Sequence, residues 1–525
     1  MDVVLAVDLG TSGPKVALVA EDGAVVASEY EPTRLILTDD GGVEQDPDDW
    51  WRAITVATRR MMDSQAVAPE RVIGVCCTAQ WLGTVAIGDD GRPLMNAIIW
   101  MDARGAPYMP DITGGTVTIQ GYEPRKITRW IKVSGGAPGH SGKDPTAHIL
   151  WIKHHRPDVY RATRTFLEPK DYLNLRLTGR AVASVDSIAG HFVTDNRDLD
   201  HVTYDDQLIE FSELDRGMLP ELVRAVDAVG PLRADAAAEL GVPAGIDVIA
   251  GTPDVQSATI GSGALADFQA HLYLGTSSWI TCHVPFKKTD LFSNMASLPA
   301  AIPNRYFVGN DQETAGACLG WLRDNVLWPD DGLGTGPAPE DAFARIDALA
   351  ATAPAGSGSV IFTPWLNGER TPVDDHTIRA AWINQSLSTT RADQVRSVLE
   401  GVAYNTKWLL GAVEKFVGRR LDPIRVIGGG ARSGLWRQIH ADVLERTIEL
   451  VEDPQAANVR GAGFLGLVGL GRATFADLGR TVAIGAVSRP DPEATAVYRP
   501  LSREFRAYYR RTKSIHARLN RDADQ

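Results

Sequence analysis

One five-residue turn occurs twice in this chain. Leu9-Gly-Thr-Ser-Gly follows the first apolar run, and Leu274-Gly-Thr-Ser-Ser recurs about half a chain later, each between two runs of β-branched and aliphatic residues. A strand, a tight glycine turn and a second strand, repeated at that distance, predict two similar domains that each present a turn to a shared cleft. At 525 residues the chain also exceeds what one hydrophobic core can fill.

The first copy belongs to a meander. Val3 to Val7, Val16 to Ala20 and Ala24 to Ala27 read as short strands, with Asp22-Gly23 as a hairpin signal. Asp46-Pro47 starts a helix through Trp51 and Ile54, and Val72 to Cys77 reads as a buried strand. Strands alternating with helices predict an α/β fold whose sheets are covered on both faces. The stretch GVPAGIDVIAGTPD (241–254) mixes turn residues with one strand and reads as the crossing between halves. The domains are therefore set at 1–250 and 251–485, followed by a helical C-terminal tail over 486–525. Ser134 to Pro145 and Ala351 to Ser359, rich in Gly, Ser and Pro, read as mobile loops. Thr390 to Val417 reads as a core helix, capped by Thr390 with Asp393 three residues on. Its Val395, Val398, Leu399, Val402, Leu409 and Val413 fall on one face. The basic stretch from Arg503 to Arg521 reads as a solvated terminal helix rather than an RNA-binding patch.

Composition narrows the classes. A chain 44% hydrophobic and 23% charged is a folded globular protein, and a net charge of −13 argues against a nucleic-acid partner. Cys76, Cys77, Cys282 and Cys318 show no metal-ligand spacing, so they read as reduced thiols. No basic and apolar leader precedes Asp2, and no uninterrupted apolar run approaches a membrane span. The expectation is a cytoplasmic protein without a membrane partner.

Three motifs carry chemistry. In DLGTSGPK (8–15) the glycines are expected to take positive φ and expose N–H groups to phosphate, helped by the Thr11 and Ser12 hydroxyls. It is not a Walker loop, since its spacing differs and a strand follows. Asp8 suits a Mg²⁺ ion between its carboxylate and that phosphate; an ordinary hairpin turn is the plainer reading of either copy alone. VIGGGARS (426–433) reads as strand, glycine turn and helix with Ser433 as cap, where a ribose or flat ring can approach the backbone. Asp254 stands at the end of a strand beside the crossing, placed to accept a proton from a substrate hydroxyl or to cap a helix.

Several further segments lie in a familiar order: EQDPDDWW (44–51), IIWMDARG (98–105), LEPKDYLNLRLTG (167–179), GTPD with LGTSS, WLNGERTPVDD (365–375) and IGGGARSGLWRQIHAD (427–442). On these the chain resembles the FGGY carbohydrate kinases, most of all their xylulokinase branch. The resemblance implies two actin-like (ribonuclease H-like) ATPase domains flanking a central cleft, and transfer of the γ-phosphate of ATP, with Mg²⁺, to a sugar hydroxyl. It makes Asp254 the general base and Asp8 the Mg²⁺-side carboxylate. Thr11, Gly275 and Thr276 match phosphate contacts, and Gly429 and Gly430 adenosine contacts. Gly10, Ser12, Lys15 and Ser433 complete the nucleotide-binding set. If Asp254 takes its proton late, an ordinary carboxylate pKa of about 4 suffices.

The sugar side departs from the pattern. Where xylulokinases carry Gln-Met-His-Gly, this chain has Gln80-Trp81-Leu82-Gly83. Leu82 removes a donor aimed at a sugar hydroxyl, while Trp81 can stack on a sugar face or pack in the core. The expected acceptor is D-xylulose or a related pentulose, with another ketose or an alditol of the ribulose, erythritol, arabitol or glycerol type as the alternative. Trp100, Asp102 and Arg104 alternate at a strand end and are expected to face the sugar with Gln80, although an Asp–Arg surface pair would give the same pattern. Asp186 reads as a turn acid. A phosphohydrolase on the same scaffold and a non-catalytic sugar- and nucleotide-binding regulator are the rival classes. Against the regulator stand Asp8 and Asp254, both present. The oligomer considered is a homodimer.

Overall fold

The computed structural model describes residues 1–333 and 336–521. Six strands form the first sheet: β1 (Val3–Gly10), β2 (Gly13–Ala20), β3 (Val25–Tyr30), β4 (Val72–Ala79), β5 (Ala228–Pro231) and β6 (Asp247–Pro253). Their order is β5-β6-β4-β1-β2-β3. β1 pairs antiparallel with β2 and parallel with β4, β4 is parallel to β6, and β5 returns antiparallel. The second sheet contains β7 (Ala270–Leu274), β8 (Ser278–Thr281), β9 (Ile424–Ile427), β10 (Ile448–Val451) and β11 (Ile484–Ser488), in the order β8-β7-β9-β10-β11. Its sequence of antiparallel, parallel, parallel and antiparallel pairings matches β2-β1-β4-β6-β5 strand for strand. The repeated turn therefore joins the same two strands in both sheets, and the two-domain α/β expectation is borne out.

Helices cover the sheets. Helix α1 (Pro47–Asp63) starts where Asp46 accepts the Asp48 N–H at 2.9 Å, and it buries Trp50, Trp51, Ile54 and Met61. Next come α2 (Pro169–Thr178) and α3 (Asp254–Gly261). The 27-residue α4 (Arg391–Val417) has the expected capping box, with Thr390 and Asp393 each holding the other's backbone N–H, and it ends at the left-handed Gly418. After it follow α5 (Gly434–Leu444), α6 (Ala457–Gly469) and α7 (Pro492–Leu519).

Helix α6 joins the halves. It packs on β1, β2 and β4 of the first sheet while crossing α3 so closely that backbone meets backbone. A Cβ on Gly461 would collide with the Ser257 carbonyl, and one on Gly261 with the Ala457 carbonyl. Small residues permit that approach, which sets the start of α6 against the end of α3.

Some expectations are corrected. β6 runs through residue 250, so the last strand of the first sheet continues to Pro253. The C-terminal tail is no solvated helix: Tyr498, Phe505 and Tyr509 of α7 lie in the core of the second half, and the Tyr498 hydroxyl donates to Glu400 at 2.8 Å. Neither glycine-rich loop is loose. Glu400 accepts from the Gly356 N–H and the Ser357 hydroxyl (3.0 and 2.8 Å), and Asn196 donates to the Ser134 carbonyl at 2.8 Å. The strand Ala97–Ile98 ends before Trp100, which leaves Trp100, Asp102 and Arg104 in a turn rather than alternating on one face.

Candidate active site

The first LGTS turn is locked from below. Thr11 donates its hydroxyl proton to Gln80 Oε1 at 3.1 Å and accepts from Trp100 Nε1 at 3.0 Å. Gln80, buried at the end of β4, donates in turn to Gln45 Oε1 at 2.7 Å, and Gln45 Nε2 donates to the Thr11 carbonyl at 2.8 Å. Gln80 and Trp100, expected beside a sugar, thus meet the turn that carries Gly10, Thr11 and the exposed Ser12. The expected run of positive φ is not there. In this turn only Gly13 takes such a value, +140°, and a side chain there would strike the Glu31 carbonyl. In the second turn Gly275 has no positive φ, and its N–H is engaged by the Ser277 carbonyl at 3.1 Å.

Two carboxylates converge beside these turns. Asp8 sits near the end of β1, across the hairpin from Lys15, and accepts from Asn458 Nδ2 of α6 at 3.4 Å. Lys15 reaches the second half as well, donating to the Gln455 carbonyl at 2.8 Å. Asp254 is the first residue of α3, and its carboxylate accepts the Val255 N–H at 2.8 Å. Burial pushes the Asp254 carboxyl up to about 7, with the charge of Asp8 adding to the rise. Burial likewise brings Asp8 to about 6, although Asn458 and then Lys15 oppose it. The ordinary pKa expected for Asp254 is therefore corrected, since desolvation and a like charge both favour its protonated form.

Among the described residues, no three His, Cys, Asp or Glu side chains are grouped to hold a metal. The donor set nonetheless fits Mg²⁺, which keeps several waters and takes one or two carboxylates with substrate phosphates. Two crowded carboxylates of raised proton affinity are relieved by such a cation.

In the glycine motif before α5, Ser433 accepts the Trp436 N–H at 3.0 Å and so caps α5, as its spacing predicts. Gly429 is exposed, and a Cβ there would meet nothing. Thr276 is exposed too, and its carbonyl accepts from the Ala315 and Ala317 N–H groups (2.8 and 3.1 Å). That clamp from residues 315–317 was not legible in the sequence, because it is made by backbone.

On the opposite side, Trp81 is half-buried and donates to the Ser187 carbonyl at 2.9 Å. Asp102 and Arg104 are bound to each other. Arg104 pairs with Asp102 (2.8 Å), Glu44 (2.7 Å) and Asp40 (3.1 Å), and its guanidinium lies 3.8 Å from the Trp151 ring centroid. Asp186 stands in a turn, as expected, and is fully buried there, where Thr252 of β6 donates to it. Beside it, Lys170 and Asp171 pair in the interior, and Lys170 and Asn174 both donate to the Ala250 carbonyl (3.0 and 2.8 Å). The LEPKDYLNL segment thereby anchors the strand that delivers Asp254.

Family models decide the class. The model described as the FGGY family of carbohydrate kinases, N-terminal domain, matches residues 3–261, and that for the C-terminal domain matches residues 270–470. The chain belongs to the FGGY carbohydrate kinases. It is a phosphotransferase of the kind that uses ATP on a small sugar. A xylulose kinase of Staphylococcus epidermidis is 28% identical over 524 residues, 99% of this chain and 98% of the relative. Among solved structures, a xylulose kinase from Rhodospirillum rubrum matches with a TM-score of 0.85 at 26% identity, covering 98% of this chain and 99% of that one. A gluconate kinase from Lactobacillus acidophilus shares the fold with a TM-score of 0.86 at 23% identity, covering 99% of both chains. No helix of the described residues is long and apolar enough to cross a membrane.

Proposed function

We propose that this FGGY kinase transfers the γ-phosphate of ATP to a hydroxyl of a small ketose, D-xylulose or a related pentulose, with Asp254 as general base. The observation that carries the reading is the convergence of Asp254 and Asp8, from two different segments, between the two LGTS turns. A base of raised proton affinity suits an alcohol nucleophile, because it holds the hydroxyl proton more firmly as the new bond forms.

Asp254 orients the sugar hydroxyl. As the sugar oxygen bonds to the γ-phosphorus and the bond to the ADP oxygen breaks, the hydroxyl proton passes to Asp254. Thr11, Ser12 and Thr276 face the phosphates, Lys15 adds positive charge next to Asp8, and the open backbone at Gly429 receives the adenosine, with Gly430 packed against the Trp436 ring behind it. Asp8 would hold Mg²⁺, which supplies charge neutralisation at the phosphate oxygens when bound. Trp81 offers a ring face to the sugar, while Asp102 and Arg104 support the turn after Ile98 from behind. Closing the halves about α6 excludes the water that competes as acceptor.

The name shared by the first relatives supports a ketopentose, and Leu82 in place of a donor supports widening the acceptor to other ketoses and alditols. The test is ADP release from Mg²⁺-ATP across D-xylulose, other ketoses, alditols and gluconate, with Asp254→Asn in parallel. Stimulation by a ketose in the wild type alone sustains the reading. Stimulation by gluconate alone replaces the substrate, and nucleotide binding without stimulation by any of them favours the regulator.

A further inference from the structure

We infer that the Tyr273 hydroxyl donates a hydrogen bond to the phosphoryl group in transit, making this tyrosine a catalytic residue of the second phosphate turn. The inference rests on the kinase reading above and adds a residue that neither motif singles out.

Placement comes first. Tyr273 is the penultimate residue of β7, so strand alternation sends its neighbour Leu274 into the core of the second half and Tyr273 to the opposite face. On that face it packs against the cluster between the halves, which contains Val4, Ala6, Ala258, Ile427 and residues of α6. Its cross-strand partner is Trp279, and the two rings stack with centroids 4.0 Å apart and planes 12° from parallel. The stack fixes the ring, and the ring end carrying the hydroxyl folds over the next turn. A Cβ on Gly275 would collide with the Tyr273 hydroxyl oxygen and the ring atoms beside it. Glycine is required there by that side chain, since its φ is unexceptional.

The surroundings supply the second argument. Tyr273 lies within electrostatic reach of Asp254 and, less strongly, of Asp8, the two carboxylates that the reaction uses. Burial and those charges push the phenol up to about 12, which keeps it a neutral donor at any working pH. Among the described residues the hydroxyl has no hydrogen-bond partner, and it is not sealed from solvent. A phenol fixed by stacking and laid over the second turn, its hydroxyl open to solvent and committed to no described protein acceptor, is preorganised for an oxygen that arrives with the substrate. In the transfer the sugar oxygen–phosphorus bond forms, the bond to the ADP oxygen breaks and the proton goes to Asp254. Tyr273 keeps its proton and stabilises charge on a non-bridging oxygen.

Tyr273→Phe removes the hydroxyl and keeps the stack. With wild-type turnover established on a ketose, the variant is expected to lose about 100-fold in kcat, while the Kd for ADP stays within about twofold. Its Kd for the ADP–aluminium fluoride complex with Mg²⁺ and sugar should weaken by a similar factor, an effect that altered packing alone does not produce. A kcat within about twofold of wild type, or equal weakening of ADP and the fluoride complex, overturns the role of Tyr273 and leaves the kinase reading intact. A wild type that phosphorylates no sugar overturns the kinase reading itself, and this inference with it.

Discussion

Asp8 raises the proton affinity of Asp254, although one closes a strand of the first sheet and the other opens the helix after its last strand. Activity should therefore follow the ionisation of Asp254. At limiting Mg²⁺, kcat/KM for the sugar is expected to rise with pH toward about 7, saturating Mg²⁺-ATP to move that rise to lower pH as the cation offsets the charge of Asp8, and Asp254→Asn to lower kcat by about 10² to 10⁴. A pH profile already flat at pH 5 would show that the base is ionised far below that range. Asn458 holds Asp8 down by its hydrogen bond, so Asn458→Leu should raise the proton affinity of Asp8 and, with that charge partly neutralised, move the rise governed by Asp254 to lower pH.

The same carboxyl should cost stability. A carboxyl whose pKa is raised by folding makes the folded state bind protons that the unfolded chain releases, so stability falls as pH rises from the unfolded value toward the folded one. For Asp254 that window runs from 3.8 to about 7. Asp254→Asn should accordingly melt at a higher temperature than wild type at pH 8, with the difference shrinking toward pH 4. Equal melting temperatures at both ends would mean that Asp254 is solvated in the folded protein.

Arg104 should behave as a structural residue first. Among the described residues it is the only cation bonded to the buried Asp102, and it also pairs with Glu44. Arg104→Ala leaves Asp102 desolvated without its counter-charge, and removing one member of a buried pair costs about 3–5 kcal/mol. The expected result is a large loss in denaturation midpoint. Unchanged stability with a raised KM for sugar would instead return Arg104 to direct substrate contact.

What sequence reveals here follows a physical division. Periodicity and turn chemistry are local, so the meander around Asp22-Gly23, the capping box of Thr390 and Asp393 and the cap at Ser433 are all visible before folding. The repeated LGTS turn likewise announces two equivalent sheets. Contacts made by backbone or by uncharged residues leave no such signature. Asn458 stands in no motif, yet it crosses between halves to bond Asp8; the Ala315 and Ala317 amides clamp Thr276 without any side chain. Tyr273 looks like one more residue of an apolar strand. Misreadings arise where composition stands in for contact: Gly, Ser and Pro near Ser357 suggested mobility, but Glu400, distant in sequence, fixes the segment. The raised pKa of Asp254 was equally hidden, because it depends on burial and on a charge brought near by folding.

The crossing of α6 on α3 offers a test of how the halves communicate. A methyl group on Gly461 meets the Ser257 carbonyl, which belongs to α3 and cannot move without moving Asp254 three residues earlier. Gly461→Ala is expected to lower stability by about 1–3 kcal/mol, as overpacking does. It should also reduce kcat more than it raises KM for either substrate, because the base and Asn458 shift relative to Asp8. Lost stability with unaltered kcat would separate the crossing from the chemistry.

The acceptor preference turns on position 82. Leu82 has a φ of +63°, a left-handed conformation that a bulky aliphatic residue seldom adopts, and its side chain lies against Gly190. Histidine tolerates this backbone better, so Leu82→His should fold at least as well as the wild type. It would restore the donor that the xylulokinase branch carries there. A hydrogen bond to a substrate hydroxyl is worth about 0.5–1.5 kcal/mol, so kcat/KM for D-xylulose should rise by up to about 10-fold. The gain should be absent for acceptors lacking the hydroxyl that the imidazole reaches. If D-xylulose is used no better while the variant remains folded, the indole of Trp81 rather than the missing donor governs the choice of sugar, and Trp81→Met becomes the change that alters it.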